Sequence, residues 1–419
     1  MTRRRIAVVG SGVAGLTAAY VMQRAADVTL YEADDRLGGH AHTHDVVGAD
    51  GVLRSVESGF IAHNRRTYPM LGRLFSELGI ATQASDMSMS ISCAGCGLEY
   101  AGGRGLSGLL PSARVLGNAK YLRMLAEVVK FHRRAHAVLD REDDGQTVRE
   151  FLAEGGFSPY FVSHFMTPVI AAVWSTAPTQ AGDYPARYLF TFLDNHGMLS
   201  VIGSPTWYTV AGGSARYVER AAKGLTAVQT STPIRAITRV GKSVEVRDDS
   251  DSAERFDGVV VATHPDQALG LLSAPTPAER ELLGAIEYTL NPTVLHTDTS
   301  VLPDTPKAAA SWNYALPSCD SLPTAVQVSY NMNRLQRLDG PQTYVVTLNG
   351  EQMVAPETVI ERMMYEHPVY TSASVQARVR LPELNDGVLA FAGAYHGWGF
   401  HEDGCRSGVE AAASLGVHW

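Results

Sequence analysis

The run Gly10-Ser11-Gly12-Val13-Ala14-Gly15 is followed by a carboxylate at Glu32 and then by Arg36-Leu37-Gly38-Gly39. Residues of these types at this spacing bind a nucleotide. The glycines permit a tight turn, let the backbone approach a pyrophosphate, and let a helix pack closely on the preceding strand. The carboxylate, about 20 residues further on, accepts hydrogen bonds from an adenosine ribose and repels a 2′-phosphate, which disfavours NADP.

Such a loop works only between a strand and a helix. Ile6-Ala7-Val8-Val9 reads as a short buried strand, and residues 16–26 read as the helix. The helix N-terminus turns free N–H groups and the positive end of its dipole toward the phosphates. Val28-Thr29-Leu30-Tyr31 reads as the second strand, delivering Glu32 at its end. Strand, turn, helix, strand and acid therefore follow one another in the required order.

Further along, residues 56–61 read as a strand closing on Gly59, and residues 68–78 as an amphipathic helix ended by Gly79. Residues 115–139 and 148–153 have helical spacing, and residues 157–174 are apolar and rich in aromatics, so a helical insertion is expected. The chain then returns to strands, including Val259-Val260-Val261 ending at Ala262, and a last buried strand Val388-Leu389-Ala390-Phe391-Ala392-Gly393. A last helix is expected over 404–415. The expected organisation is nucleotide-binding pieces at 1–104, 201–275 and 386–419, a helical insertion at 105–200, and a strand-rich substrate domain at 276–385.

Composition supports a folded multi-lobed protein. The chain has 419 residues, 45% of them apolar and 19% charged, with a net charge of −8. An acidic balance argues against nucleic-acid binding. Arg3-Arg4-Arg5 before an apolar run imitates an export signal. That run is itself the strand, loop and helix, so cleavage would destroy the nucleotide site, and a cytoplasmic location is expected. Residues 101–141 carry eight Lys or Arg against two Asp or Glu, interleaved with Tyr121, Leu122, Leu125, Val128, Val129 and Phe131. Two readings stand: a peripheral membrane-surface helix, or a solvated basic face packed on its own domain. Cys93 and Cys96 have metal or redox spacing, but no second pair completes a zinc site along the chain. They are expected to flank a hairpin turn, and no metal is expected.

Together these motifs resemble the flavin-containing amine oxidoreductase superfamily. Besides the first loop, Val56-Glu57-Ser58-Gly59-Phe60 is similar to the family's stretch beside the flavin ring. Thr232-Pro233-Ile234 is similar to the segment that contacts adenine. Phe391-Ala392-Gly393 with Gly399-Phe400-His401-Glu402-Asp403-Gly404 is similar to the C-terminal FAD motif. The resemblance implies an α/β fold: a glutathione-reductase-like FAD-binding Rossmann domain with a mixed β substrate domain and a helical insertion. It places FAD against Gly10, Gly12, Val13, Ala14, Gly15, Glu32, Ala33, Arg36, Gly38, Gly39 and His40 at the dinucleotide end, with His42 near the phosphates or ribityl chain. It adds Glu57, Ser58, Gly59 and Phe60 beside the ring, and Ile234, Ala262, Gly393, Ala394, Phe400 and His401 from the later segments.

Three departures from the family pattern are present, and those at the cage and the lysine weaken amine oxidation. Tyr395 stands where the family keeps an acid, and Phe400 where amine oxidases place one tyrosine of an aromatic cage; no match is found for their lysine. Gly38-Gly39-His40-Ala41-His42-Thr43, Ser58-Gly59-Phe60-Ile61-Ala62-His63-Asn64, Asp194-Asn195-His196-Gly197 and Ser311-Trp312-Asn313-Tyr314 are closer to bacterial FAD proteins resembling the N-terminal domain of plant cyclopropane fatty acid synthases. That resemblance implies a lipid or other small-molecule substrate and a lipid methyltransferase or synthase as partner. His63, His196, Tyr395, His396 and Trp398 are the expected catalytic candidates, since histidine titrates near neutrality. The leading expectation is an FAD-dependent oxidase, dehydrogenase or desaturase taking hydride from an apolar, fatty-acyl substrate. An amine or amino-acid oxidase, a redox-neutral flavin isomerase, and a non-catalytic flavoprotein subunit of a lipid-modifying enzyme are the alternatives.

Overall fold

The computed structural model describes residues 3–143, 145–200, 203–319 and 323–419. A five-stranded parallel sheet carries the glycine loop at residues 10–15. Its order is Ala227–Gln229, Ala26–Tyr31, Arg4–Val9, Gly258–Val261, Leu389–Phe391. Ile6 to Val9 and Val259 to Val261 are buried on both faces, which is why these strands read as unbroken apolar runs rather than alternating ones. Strands from opposite ends of the chain are neighbours here. The helix Val13–Met22 is apolar all round because it is covered on both sides, by this sheet and by the last helix, His401–Ser414. Gly408 permits that second contact: a Cβ there would lie 2.3 Å from the Ala14 carbonyl oxygen.

A second sheet of seven strands has the order Val359–Pro368, Tyr288–His296, Val345–Leu348, Val328–Asn331, Trp312–Leu316, Met89–Cys93, Leu98–Gly102. The last two strands correct the expected boundary at residue 104. Met89–Cys93 pairs in parallel with Trp312–Leu316, Met89 opposite Trp312 and Cys93 opposite Leu316, so this hairpin belongs to the strand-rich domain.

Residues 105–200 form the helical layer, chiefly Ala119–Leu139, Val148–Glu154, Thr167–Trp174 and Ala186–Asn195. Phe131 is its hub, with the rings of Phe151, Phe157, Phe161, Phe165 and Phe190 within 6.4 Å. The same core continues into the second sheet through Ile91, Tyr314 and Val328. Helical layer and sheet therefore enclose a space between them. No helix of the described residues is long and apolar enough to cross a membrane.

Candidate active site

A continuous cavity of about 1690 Å³ runs from the glycine loop, past the ends of the parallel strands, into the space under the helical layer. That exceeds the roughly 300–1,000 Å³ of a site for one drug-sized ligand. It has room for a dinucleotide and a second molecule.

The dinucleotide end is built by local geometry. Gly10 has φ +97°, and a Cβ there would meet the Ala262 carbonyl oxygen at 2.8 Å. Gly12 begins the first helix without a side-chain cap, and a Cβ on it would meet no protein atom within 4 Å. The first N–H groups of the helix thus look into the cavity. Glu32 accepts the Ser11 N–H at 2.9 Å and the Asp34 N–H at 3.1 Å, holding its carboxylate beside the loop. Arg36 is pinned by donation to the Gly39 carbonyl at 2.9 Å. Thr232, Pro233 and Ile234 close the far end.

The middle of the cavity gathers uncharged imidazoles. His40 lies 4.9 Å from the Tyr365 ring and 5.3 Å from His367, while His401 stacks on Phe60 at 3.8 Å and bonds the Tyr217 hydroxyl at 3.1 Å. Burial lowers His40 well below its ordinary pKa, His367 to about 4 and His401 to about 3. These rings are neutral at pH 7. The His40 Nε2 and Tyr395 hydroxyl are buried, face this cavity and have no partner within the chain. Orphaned polar atoms of this kind call for a polar ligand, and with the open cradle at Gly12 they fit a bound dinucleotide.

Beyond this point the walls become apolar: Met89, Ile91, Met124, Val128, Phe165, Val169, Trp312 and Phe400. Phe400 stacks on Phe192 at 5.0 Å. His196 lines the same arm, its Nδ1 bound to the Phe192 carbonyl at 2.9 Å, with a pKa lowered by burial to about 4. No lysine is among the described lining residues, and of the lining carboxylates Glu366 is held by His264 at 2.9 Å.

The structure divides the expected site residues. Gly10, Gly12, Val13, Ala14, Glu32, Ala33, Arg36, Gly39, His40, Ser58, Gly59, Phe60, Ile234, Ala262, Gly393, Ala394, Phe400 and His401 line the cavity, as do His196 and Tyr395. Gly15 and Gly38 do not. Both are packing glycines, whose Cβ atoms would lie 1.9 Å from the Gly10 oxygen and 2.5 Å from the Ala41 oxygen. Glu57 also departs from expectation. Its carboxylate turns away from the cavity to accept the Thr43 hydroxyl at 2.6 Å, the Ser214 N–H at 2.5 Å and the Ser214 hydroxyl at 2.7 Å. It anchors the start of the helix Ala215–Ala222.

Three catalytic candidates are likewise displaced. His63 sits among Tyr68, Phe75 and Tyr208, behind the wall. His396 is buried off the cavity, and Trp398 is held in the core, its carbonyl accepting the Trp174 indole at 3.0 Å. His42 bonds the Tyr365 hydroxyl at 2.9 Å outside the lining. Asn313 is consumed within the sheet by Ser90, Ala310 and Ser329, although its neighbour Trp312 lines the cavity. The strand Val359–Pro368 supplies wall residues the sequence did not reveal, Tyr365 and His367. Their i, i+2 spacing on one strand face was the available signal.

The expectation of no metal rested on the absence of further ligands near Cys93 and Cys96 in sequence. Tertiary packing supplies them: Cys319 and His164 bring all four ligand atoms within 4.8 Å of one another.

The chain matches the flavin containing amine oxidoreductase family over residues 13–348 and belongs to it. It is an FAD-dependent oxidoreductase. Solved structures share the fold along the whole chain. A CLA-producing fatty acid isomerase from P. acnes matches with a TM-score of 0.69 at 18% identity, covering 97% of each chain. Cyclohexylamine oxidase from Brevibacterium oxydans IH-35A matches with a TM-score of 0.68 at 17% identity, covering 99% of this chain and 98% of that one. Putrescine oxidase matches with a TM-score of 0.68 at 16% identity, covering 98% of each.

Proposed function

We propose that this FAD-dependent oxidoreductase acts on an apolar chain, a fatty-acyl group of a membrane lipid. The observation that carries this reading is the apolar arm continuous with the dinucleotide end of the cavity, walled by Met89, Ile91, Met124, Val128, Phe165 and Val169. Burial of a methylene there stabilises binding by about 0.8 kcal/mol, so a long chain is retained by its length rather than by a charge. Flavin, when bound, accepts a hydride from a C–H bond held against it. The protein orients the chain, excludes water and surrounds the reacting region with neutral rings at His40, His196 and His401. Histidines whose pKa is held near 3 or 4 are weak bases, which suits hydride removal without a strongly basic partner.

The stretch 105–133 supports a lipid source. Gly105, Leu125, Val129 and His132 line the cavity, and in the same stretch Leu106, Leu116, Leu122 and Val129 are 43–76% exposed, with Arg114, Lys120, Arg123 and Arg133 also on the surface. Apolar side chains among cations are the composition of a surface that rests on anionic lipid. One neighbour of the same fold is described as a fatty acid isomerase. The motif resemblance to plant cyclopropane fatty acid synthases supports a place beside a lipid methyltransferase or synthase. An amine substrate finds aromatic walls at Phe192, Trp207 and Phe400, but no lysine among the described lining residues.

The test is anaerobic mixing of the holoenzyme with phospholipids of graded acyl length and with an amine panel, reading loss of the flavin's visible absorption. Lipid-dependent bleaching is expected, and Val169→Trp should shift it toward shorter chains while leaving flavin content intact. Bleaching by amines alone overturns the reading. So does an inert flavin that is reduced by light but by neither panel, which would indicate an accessory subunit.

A further inference from the structure

We propose that Cys93, Cys96, His164 and Cys319 form a closed four-ligand site for a structural zinc ion. The site is separate from the flavin chemistry and holds the helical layer to the edge of the second sheet.

Two opposite edges of the cluster have the lengths of a tetrahedral zinc site, and the other four ligand pairs are close enough to close around an ion. Zinc–sulfur bonds of about 2.3 Å and zinc–nitrogen bonds of about 2.0–2.1 Å require ligand–ligand edges of roughly 3.8 Å between sulfurs and roughly 3.6 Å between sulfur and nitrogen. The Cys93 and Cys319 sulfurs are 3.7 Å apart, and the Cys96 sulfur is 3.7 Å from the His164 Nε2. The remaining pairs of ligand atoms also lie within 4.8 Å. Three soft sulfurs and one imidazole, with no open position, are the ligand set of a structural rather than a catalytic zinc.

The surroundings orient each ligand. The His164 Nδ1 faces the Tyr160 carbonyl at 3.2 Å and the Ser163 hydroxyl at 2.7 Å. A proton held on Nδ1 leaves the Nε2 lone pair directed at the sulfurs, the tautomer a metal requires. Tyr160 stacks on the ring at 3.9 Å, and the Tyr100 hydroxyl donates to the His164 carbonyl at 2.8 Å. His164 also lies in a π-helical turn, Val162–Met166, a local widening that re-aims a side chain and recurs at functional sites.

On the other side, Cys93-Ala94-Gly95-Cys96 makes a tight knuckle. The Gly97 N–H donates to the Cys93 carbonyl and the Ala94 N–H to the Leu316 carbonyl, each at 2.9 Å. Gly95 is required there, because a Cβ would lie 2.9 Å from the Cys319 nitrogen and 3.0 Å from the Ser318 Cα. The parallel pairing of Cys93 with Leu316 explains the arrival of Cys319, three residues beyond that strand end.

On loading, the three thiols bind as thiolates and release their protons to solvent, while the histidine binds neutral. Ile91, Tyr100, Phe165 and Met166, close in sequence to the ligands, line the cavity. The ion thus fixes the wall of the apolar arm from behind. The inference stands whether or not the substrate is a lipid.

The test is metal analysis of protein purified without chelators from zinc-supplemented cells. About one zinc per chain is expected in the wild type and in Cys405→Ser, whose thiol lies beside Thr17 away from the cluster. Cys96→Ser and Cys319→Ser should fall below about a tenth of that while keeping FAD. Should those variants fail to fold, wild-type protein titrated with a mercurial reagent should release its zinc, read by a metallochromic dye, as the thiols react. Zinc-free wild type, with free thiols or a Cys93–Cys319 disulfide in peptide mapping, overturns the proposal. Zinc retained in full by both serine variants overturns it equally.

Discussion

Gly12→Val separates cofactor binding from folding. Gly12 has φ −61° and ψ 175°, a conformation open to any L-residue, and a Cβ there would meet no protein atom within 4 Å. The added Cβ therefore meets no internal clash, and reduced freedom of the unfolded chain stabilises the apoprotein by up to about 1 kcal/mol. Its side chain would project into the cavity space that the helix N–H groups face, where a bound pyrophosphate would lie. Loss of two charge-assisted hydrogen bonds, at about 1.5–3 kcal/mol each, weakens FAD binding by roughly 3–6 kcal/mol. At 1.4 kcal/mol per decade this is about a hundred- to ten-thousandfold. Gly15→Ala is the contrasting variant: its Cβ would lie 1.9 Å from the Gly10 oxygen, so it should damage folding itself. The assay is titration of FAD into apoprotein, paired with denaturant melts of the same samples. Gly12→Val apoprotein that binds FAD at wild-type strength would falsify the assignment of this loop. Apoprotein destabilised by several kcal/mol would refute the claim of open space.

Three further outcomes are expected. Glu57→Ala strands the Ser214 and Thr43 donors in a buried site and should destabilise the fold by roughly 3 kcal/mol, with FAD affinity of the folded fraction unchanged; selective loss of FAD at full stability would return Glu57 to the cofactor. Burial depresses His196 and His367 to about 4 and His396 and His401 to about 3, from an ordinary 6.5. Below that ordinary value the unfolded chain takes up protons that the folded chain refuses. Stability present above about pH 6.5 is therefore lost as the pH falls toward 4 and, for His396 and His401, toward 3, each ring contributing on the order of 3–5 kcal/mol in full; a denaturation midpoint that stays flat from about pH 7.5 to 5 contradicts this burial. Lys120→Glu with Arg123→Glu removes two cations at about 1 kcal/mol each and should weaken sedimentation with anionic vesicles at least about thirtyfold; equal sedimentation of both proteins would remove the membrane-facing role.

The nucleotide end was legible in the sequence because its determinants are local. A strand, a glycine turn, an uncapped helix start and Glu32 lie within about 30 residues, and backbone geometry alone brings them together. The unbroken apolar runs at 6–9, 259–261 and 388–393 read as buried strands, but only long-range pairing made them neighbours in one parallel sheet. Proximity by motif did not determine which way a side chain points. Tyr395 faces the cavity while its neighbour His396 does not, and Phe60 lines it while His63 lies behind. A single residue step along an extended or tightly turned chain reverses the face.

Long-range pairing decided the rest. Parallel register with Trp312–Leu316 moved the Met89–Gly102 hairpin into the second sheet and set Cys319 against Cys93. The edge strand Val359–Pro368 brought Tyr365 and His367 to His40 across more than 300 residues of sequence. Glu57 meets Ser214 only through tertiary packing, which brings the start of the helix Ala215–Ala222 against the end of the strand Leu53–Glu57. Residue types and spacing thus determined that FAD is the cofactor and which loop is shaped to receive a dinucleotide. The three-dimensional packing decided what surrounds the reacting end, because no local rule specifies which distant side chains share a cavity wall.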